Sequence, residues 1–453
     1  MNPLSARPRY ISELPARRAQ PARPYPIAEK CNVAILGFGT VGRSVAKLLS
    51  DNSADPLRVT HIYNRHVARK RVSWLPPAVH WTEDIDEVLS TDVDVVVELV
   101  GGLKAEPWVR RALECGKSVV TANKQLIAHC GPELLELARR MGQHLAFGAS
   151  VAGGIPVVSG LQEGLSGDRL YKVYGILNGT CNYILSQVES AGVSFAEALA
   201  KAQEFGFAES DPIEDVDGYD ARAKLAILTW VGLHTNVATG EIVCRSIREV
   251  EAVDFNYASQ LGCTIRQVSR AELRENCLFA AVQPALVPLA SPLAGVQGSQ
   301  NLVMATGELG GETVFSGHGA GGNPTAVAVV SDLLAIARDR HCVRSAHTKA
   351  PKRPPQVSGD FVTPHYVRFT VKDRPGIIAS LAAVFSEQQI NIDSVLQQQG
   401  YPKSRLPFVI TLEACSGSVL QKALDQIRKM DFLVQAPVSL PILNQGSGNV
   451  PAM

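Results

Sequence analysis

The chain has 453 residues, 46% of them hydrophobic and 19% charged, with a formal net charge of +1; two to four domains with ordinary buried cores are expected at this length. Near-neutral charge gives no reason to expect nucleic acid as a partner, and no run approaches the roughly 18 apolar residues that cross a membrane. The nine cysteines contain no Cys-x-x-Cys pair, which argues against a zinc knuckle or redox dithiol and fits a reducing, cytoplasmic compartment.

Residues 1–30 hold five arginines and six prolines but no apolar core of a secretory signal, and read as a disordered extension. Residues 31–36 form a short β-rich apolar run that stops at Gly37. Residues 40–49 carry Val41, Val45, Leu48 and Leu49 at helical spacing. A second strand is expected at 58–63 and a third at 94–100, the latter so rich in Val that it suits burial on both faces of a parallel sheet. A helix at 108–115 and a strand at 118–121 follow. This alternation predicts an α/β, doubly wound parallel sheet over residues 31–150. Longer helices mixed with less regular strands give an α+β reading for 151–344. Residues 345–362, rich in Pro, Lys and Ser, read as a linker. Strand, helix, strand, strand and helix are expected in turn at 366–371, 375–388, 392–398, 408–413 and 419–429. That order predicts a ferredoxin-like βαββαβ domain over 363–440, with 441–453 as a disordered tail.

Gly37, Phe38, Gly39, Thr40, Val41 and Gly42 match G-x-G-x-x-G between the first strand and the first helix. The first Gly allows the tight turn, the second lets the backbone approach a pyrophosphate, and the third lets helix and strand pack closely. Amides at the helix start then face the phosphate charge. The motif alone is a weak signal, but its strand–turn–helix setting favours dinucleotide binding over a purely structural turn. An NAD enzyme usually ends its second strand with an acid that binds the ribose hydroxyls. Here Asn64 and Arg65 stand there, with Arg69, Lys70 and Arg71 close behind. The pattern points to NADP(H), leaves NAD(H) open, and is also what a solvated basic loop would look like.

The densest chemistry lies at 207–224, where Glu209, Asp211, Glu214, Asp215, Asp217 and Asp220 fall within twelve residues. Asp220 and Lys224 are four apart, so on a helix they share a face. Two readings stay open: a surface ion pair worth a few tenths of a kcal/mol, or Lys224 as proton donor to a carbonyl with Asp220 orienting its ammonium. A calcium loop fails, because Ile213 stands where an acid is required and Lys224 where the bidentate Glu would be. Lys124 follows the strand at 118–121, at the carboxyl edge where open α/β sheets bind ligands; a solvent-exposed lysine is the plain alternative.

Taken in order, seven segments resemble the homoserine dehydrogenase family in its form with a C-terminal ACT domain. They are Gly37-Phe-Gly-Thr-Val-Gly42, Thr121-Ala-Asn-Lys124, Gly153-Gly-Ile-Pro156, Gly175-Ile-Leu-Asn-Gly-Thr180, Gly206-Phe-Ala-Glu-Ser-Asp-Pro212, Asp220-Ala-Arg-Ala-Lys-Leu225 and Gly319-Ala-Gly-Gly-Asn-Pro-Thr325. The resemblance implies a Rossmann-type domain and NAD(P)H-dependent, reversible reduction of L-aspartate 4-semialdehyde to L-homoserine, a step toward threonine, methionine and isoleucine. It also implies that Lys224 is the catalytic acid/base and Lys124 a second active-site lysine beside the cofactor. Glu209 would bind the substrate amino group, with Asp215 and Asp220 supporting substrate and lysine. Gly179 and Thr180 would line the nicotinamide side, and Gly101, Thr121 and Gly321 would add cofactor contacts. The chemistry is consistent: a zwitterionic substrate needs an anion and a cation in its pocket.

The family holds a structural sodium ion on backbone carbonyls matching Val151, Gly153 and Ile155, but its usual Glu is Gly148 here. In the tail domain Asp373, Pro375, Gly376 and Asn391 resemble the turn and strand start at which ACT domains meet an amino-acid effector, threonine being the usual one in this family. A ligand-free dimerisation module is the alternative reading, and a homodimer or higher homo-oligomer is expected. Two rival readings are weaker: a phosphorylating semialdehyde dehydrogenase needs a Cys nucleophile and base, and here Cys181 has no His near it in sequence; a non-catalytic NADP and amino-acid sensor is opposed by the intact Glu209, Asp220 and Lys224.

Overall fold

Six parallel strands build the first layer of the computed structural model, which describes residues 30–51, 56–339, 352–354 and 356–443. The extension before residue 30, the tail from 444 and linker residues 340–351 lie outside the described residues. The strands are β1 (Cys31–Leu36), β2 (Leu57–Tyr63), β3 (His80–Thr82), β4 (Val95–Glu98), β5 (Ser118–Thr121) and β6 (Leu145–Ala146), in the order β3-β2-β1-β4-β5-β6. The order reverses between β1 and β4, which opens a crevice at their carboxyl ends. Val95, Val96 and Val97 are fully buried, as a strand covered on both faces requires. His80–Thr82 is a three-residue edge strand, too short to show a two-residue period in sequence.

The helix Gly322–Asp339 joins this layer, although its place in the chain assigned it to the second unit. Ala326, Val329, Leu333 and Ile336 share one core with Val33, Ile35, Val45 and Val97. Fully burying each such Val, Leu or Ile is worth roughly 1.5–3 kcal/mol. The helix start also touches the helix Thr40–Asp51, where Ser44 Oγ donates to Asn323 Oδ1 at 2.9 Å.

A mixed seven-stranded sheet forms the second unit: β7 (Leu170–Ile176), β8 (Val243–Cys244), β9 (Cys263–Arg274), β10 (Cys277–Pro288), β11 (Gln300–Gly307), β12 (Gly311–His318) and β13 (Gln356–Ser358), ordered β12-β11-β7-β9-β10-β13 with β8 on β10. Thus part of the expected linker is a strand, pairing parallel to β10. The helix Tyr219–Leu233 packs on β7, β9 and the helix Lys124–Arg140, locking the two units together. Trp230 on it stacks on Phe147 with ring centroids 5.2 Å apart.

The third unit is antiparallel: β14 (Val362–Val371), β15 (Ile392–Leu396), β16 (Leu406–Ser416) and β17 (Val438–Pro441), ordered β15-β16-β14-β17. The helices Ile377–Glu387 and Gly417–Ile427 complete the ferredoxin-like plan on one face. The opposite face packs on the helix Ala252–Gln260, where Tyr366, Val409, Val438 and Leu440 share a core with Phe255, Tyr257 and Ala258.

Candidate active site

The glycine turn is held by space as well as by conformation. Gly37 has φ +102°, and a Cβ on Gly42 would lie 2.1 Å from the Gly37 carbonyl oxygen. Phe38 turns its ring into the core, edge-on to Trp81 at 4.8 Å, so it offers a ligand only its backbone. Gly39 and Thr40 are exposed at the helix start, while Val41 and Gly101 line an open cleft between the first two units. Across it stand Ser150, Gly153 and Lys224. Small residues and helix-start amides facing this cleft suit a dinucleotide.

Arg65, Arg69 and Lys70 are exposed beyond β2, and Asn64 Oδ1 accepts from His66 N at 3.1 Å. Glu83, which the sequence reading did not single out, accepts from Val67 N at 2.8 Å and caps the short helix carrying Arg69 and Lys70.

At the end of β5 the Thr121 hydroxyl donates to Glu98 Oε2 at 2.6 Å and accepts from Asn123 N at 3.0 Å. Asn123 then caps the helix Lys124–Arg140 through its Oδ1. Lys124 is therefore the first helical residue, and its ammonium pairs with Asp220 Oδ1. Lys224 Nζ lies 2.8 Å from Asp220 Oδ2 and 2.9 Å from the Leu177 carbonyl oxygen. One carboxylate thus ties a lysine of the first unit to a lysine of the second. Two of the three N–H groups of Lys224 are used, leaving one for a ligand.

Asp220 is only 4% exposed. Burial alone pushes its carboxyl up, but the Lys224 and Lys124 ammoniums outweigh that and hold it well below the ordinary range. Burial pulls the Lys124 ammonium down, and Asp220 more than reverses this. Asp215 moves the other way: burial raises its carboxyl despite a hydrogen bond from Asn178.

The structure brings Lys124, Asp215, Asp220 and Lys224 together. Glu209 instead sits on an exposed loop, outside that network. The loop is tethered by Thr180 Oγ1, which donates to the Phe207 carbonyl at 2.6 Å, and by Gln203 Nε2, which donates to the Glu209 carbonyl at 3.0 Å. Gly179 has no room for a side chain, since a Cβ would meet Ser299 O at 2.6 Å. Gly321 has φ +121° just ahead of the helix Gly322–Asp339. Asn178 and Glu98 were missed as site residues. Asn178 could have been found as a helix-capping residue type beside the Gly-Thr pair; buried Glu98 accepts from Val100 N, Gly101 N and Thr121, partners no sequence spacing discloses.

Val151, Gly153 and Ile155 follow one another through a turn in which Ala152 takes φ +48°. Among the described residues, no cluster of three or more His, Cys, Asp or Glu is placed to hold a metal, so a cation there would rest on these carbonyls. Asp332 fills the space of a residue-148 side chain: it accepts from Gly148 N at 2.9 Å, and a Cβ would lie 2.9 Å from its Oδ1.

In the third unit Asp373 N donates to the Lys403 carbonyl at 2.7 Å and Asn391 Nδ2 to Glu413 at 3.0 Å. Gly376, at φ +94°, starts the helix Ile377–Glu387, with exposed Pro375 beside it.

A dinucleotide crevice facing a carboxylate-held lysine pair defines a nicotinamide-dependent oxidoreductase. Family models match along the chain: "Homoserine dehydrogenase, NAD binding domain" over residues 37–148, "Homoserine dehydrogenase" over 156–334 and "ACT domain" over 365–432. Homoserine dehydrogenase of Mycobacterium tuberculosis is 38% identical over 436 residues, covering 92% of this chain and 98% of that protein. The Bacillus subtilis enzyme is 37% identical over 380 residues, covering 81% and 87%. The crystal structure of a homoserine dehydrogenase from Thiobacillus denitrificans superposes with a TM-score of 0.85 at 30% identity, covering 92% of this chain and 99% of that one. A hyperthermophilic archaeal homoserine dehydrogenase in complex with NADPH gives a TM-score of 0.60 at 27% identity, over 68% of this chain and 98% of that one. The chain belongs to the homoserine dehydrogenase family, and is an oxidoreductase acting on a CH–OH group with an ACT domain at its C-terminal end.

Proposed function

We propose that the chain reversibly reduces L-aspartate 4-semialdehyde to L-homoserine, with Lys224 giving the proton and Asp220 holding it in place. The observation that carries this is the Lys124–Asp220–Lys224 network on the wall of the cofactor cleft. Bound nicotinamide supplies the hydride to the aldehyde carbon. As the carbonyl oxygen gains charge, the free N–H of Lys224 lies ready to protonate it, and the neutral amine recovers its proton from solvent. In the reverse direction the neutral amine accepts the hydroxyl proton. Lys124 offers a cation to the substrate carboxylate or the cofactor ribose. Asp215, with Glu209 brought in from its loop, meets the substrate amino group. Cys181 does not support a thiol mechanism: it is fully buried, burial pushes its thiol well up, and its Sγ donates to the Asp215 carbonyl at 3.0 Å.

The basic loop of Arg65, Arg69 and Lys70 favours a 2′-phosphate, so NADP(H) is the proposed cofactor over NAD(H). The contacts lie along the 37–42 turn, Asn64, Gly101, Thr121, Lys124, Gly179, Thr180 and Gly321. Carbonyls of Val151, Gly153 and Ile155 would hold a sodium ion as a structural element. Threonine is the proposed effector at Asp373, Pro375, Gly376 and Asn391, in a cytoplasmic homo-oligomer. Initial rates with L-homoserine test the core of this reading: NADP reduction should exceed NAD reduction, and no reduction of either cofactor overturns it. Calorimetry with threonine should give saturable heat; none above background rejects the effector role.

A further inference from the structure

Between the two acids of the site lies one buried amide. Asn178 is 3% exposed and precedes the helix Gly179–Ala191. Its Oδ1 accepts from Cys181 N at 2.8 Å, and its Nδ2 donates to Asp215 Oδ1 at 2.7 Å and to Asp220 Oδ2 at 2.9 Å. Both N–H donors and one of the two oxygen lone pairs of the amide are used. We infer that Asn178 is a positioning residue, whose amide, oriented by the start of the helix Gly179–Ala191, fixes the Asp215 and Asp220 carboxylates against each other and so sets where Lys224 stands.

Orientation is what an amide needs to do this, and here chemistry dictates it. The Cys181 N–H can only donate, so it requires the amide oxygen; the NH₂ end is then left for the two acceptor-only carboxylates. Like charges in a low-dielectric site repel, and the two N–H bonds of Asn178 give each carboxylate a donor between them. The neighbouring residue completes the frame, since the Leu177 carbonyl accepts a hydrogen bond from Lys224 Nζ. Residues 177 and 178 thus hold the ammonium by backbone and its counter-ions by side chain. Other residue types fail in distinct ways. Asp would cap the helix but bring a third carboxylate; Ser would cap it but has one O–H and a shorter reach; Gln is one methylene too long.

This inference rests on the proposed roles of Asp215, Asp220 and Lys224, and its test separates the two. Asn, Asp and Ser cap helices about equally well, so Asn178→Ser keeps the cap while removing the clamp. With L-homoserine and NADP, kcat/KM should fall about 10–100-fold, the cost of a misplacement of about 1 Å. NADPH affinity should stay unchanged. Asp215, already raised by burial, loses its strongest donor, so the acid limb of the pH profile should move to higher pH. Asn178→Asp should lose more near neutral pH. A double-mutant cycle removes any contribution from altered stability: in an Asp215→Asn background, Asn178→Ser should cost far less than in the wild type. Additive losses, or an Asn178→Ser enzyme with wild-type kcat/KM and pH profile, overturn the inference alone. A wild-type chain inactive on L-homoserine overturns the functional reading and this inference with it.

Discussion

Two ammoniums held by one buried carboxylate make Asp220 the electrostatic centre of the site. Its folded pKa lies below its unfolded value near 3.9, so its contribution to stability is present above about pH 4 and fades as pH falls through the lower folded value. Asp220→Asn strips the counter-charge from Lys224, whose side chain is 12% exposed. Breaking a buried pair in this way costs about 3–5 kcal/mol, so urea unfolding at pH 7 should show the variant much less stable, with the gap narrowing toward pH 3. A midpoint equal to wild type at pH 7 would contradict the pairing. At this scale the sequence disclosed the Asp220–Lys224 spacing, because four residues on a helix are neighbours. It could not disclose that Lys124, 96 positions before Asp220, shares the same carboxylate, nor that Asn178 joins Asp215 to it; the first depends on two units meeting and the second on how the chain folds back within one.

Among elements, the helix Gly322–Asp339 and the glycine turn support each other. Gly322 packs against Thr40 and Ser44, where a Cβ would lie 2.8 Å from Thr40 Cγ2. The cofactor turn is thus backed by a segment some 280 residues away. Gly42→Ala should push the helix Thr40–Asp51 off β1, since overpacking typically costs about 1–3 kcal/mol. Fluorescence titration should show NADPH binding weakened at least ~10-fold, as 1.4 kcal/mol is a factor of ten. Unchanged affinity would mean the turn is not where the pyrophosphate sits. Strands with strong apolar runs, such as Val95–Glu98, were readable because their burial is written in composition. His80–Thr82 and Gln356–Ser358 were not, because three-residue edge strands owe their form to a neighbour's free backbone groups.

Over the whole molecule, the third unit is joined to the second by buried charge. Arg368 Nε and Tyr366 Oη both donate to Asp254 Oδ1 at 2.7 Å, with Asp254 fully buried and Arg368 1% exposed. Burial raises the Asp254 carboxyl, and Arg368 opposes the rise. Tyr257 extends the joint, donating to the Pro407 carbonyl at 2.9 Å and accepting from Gln398 N at 3.1 Å. Arg368→Met leaves a buried carboxylate unpaired and should cost about 3–5 kcal/mol. Calorimetry should then show the C-terminal domain unfolding earlier than the rest; a single unshifted transition would contradict the joint. The βαββαβ order was legible, since its periods alternate cleanly. Which face of its sheet is covered was not, because a strand of alternating apolar residues names a face without naming what covers it.

Single turnover with Lys224→Ala tests the central claim most directly. L-aspartate 4-semialdehyde would be mixed with enzyme saturated in NADPH and the loss of NADPH absorbance followed. The variant should bind NADPH as the wild type does and transfer hydride about 10²–10⁴-fold more slowly, the usual worth of a positioned proton donor. Hydride transfer at the wild-type rate would mean that the lysine pair in the cleft does not carry the reaction.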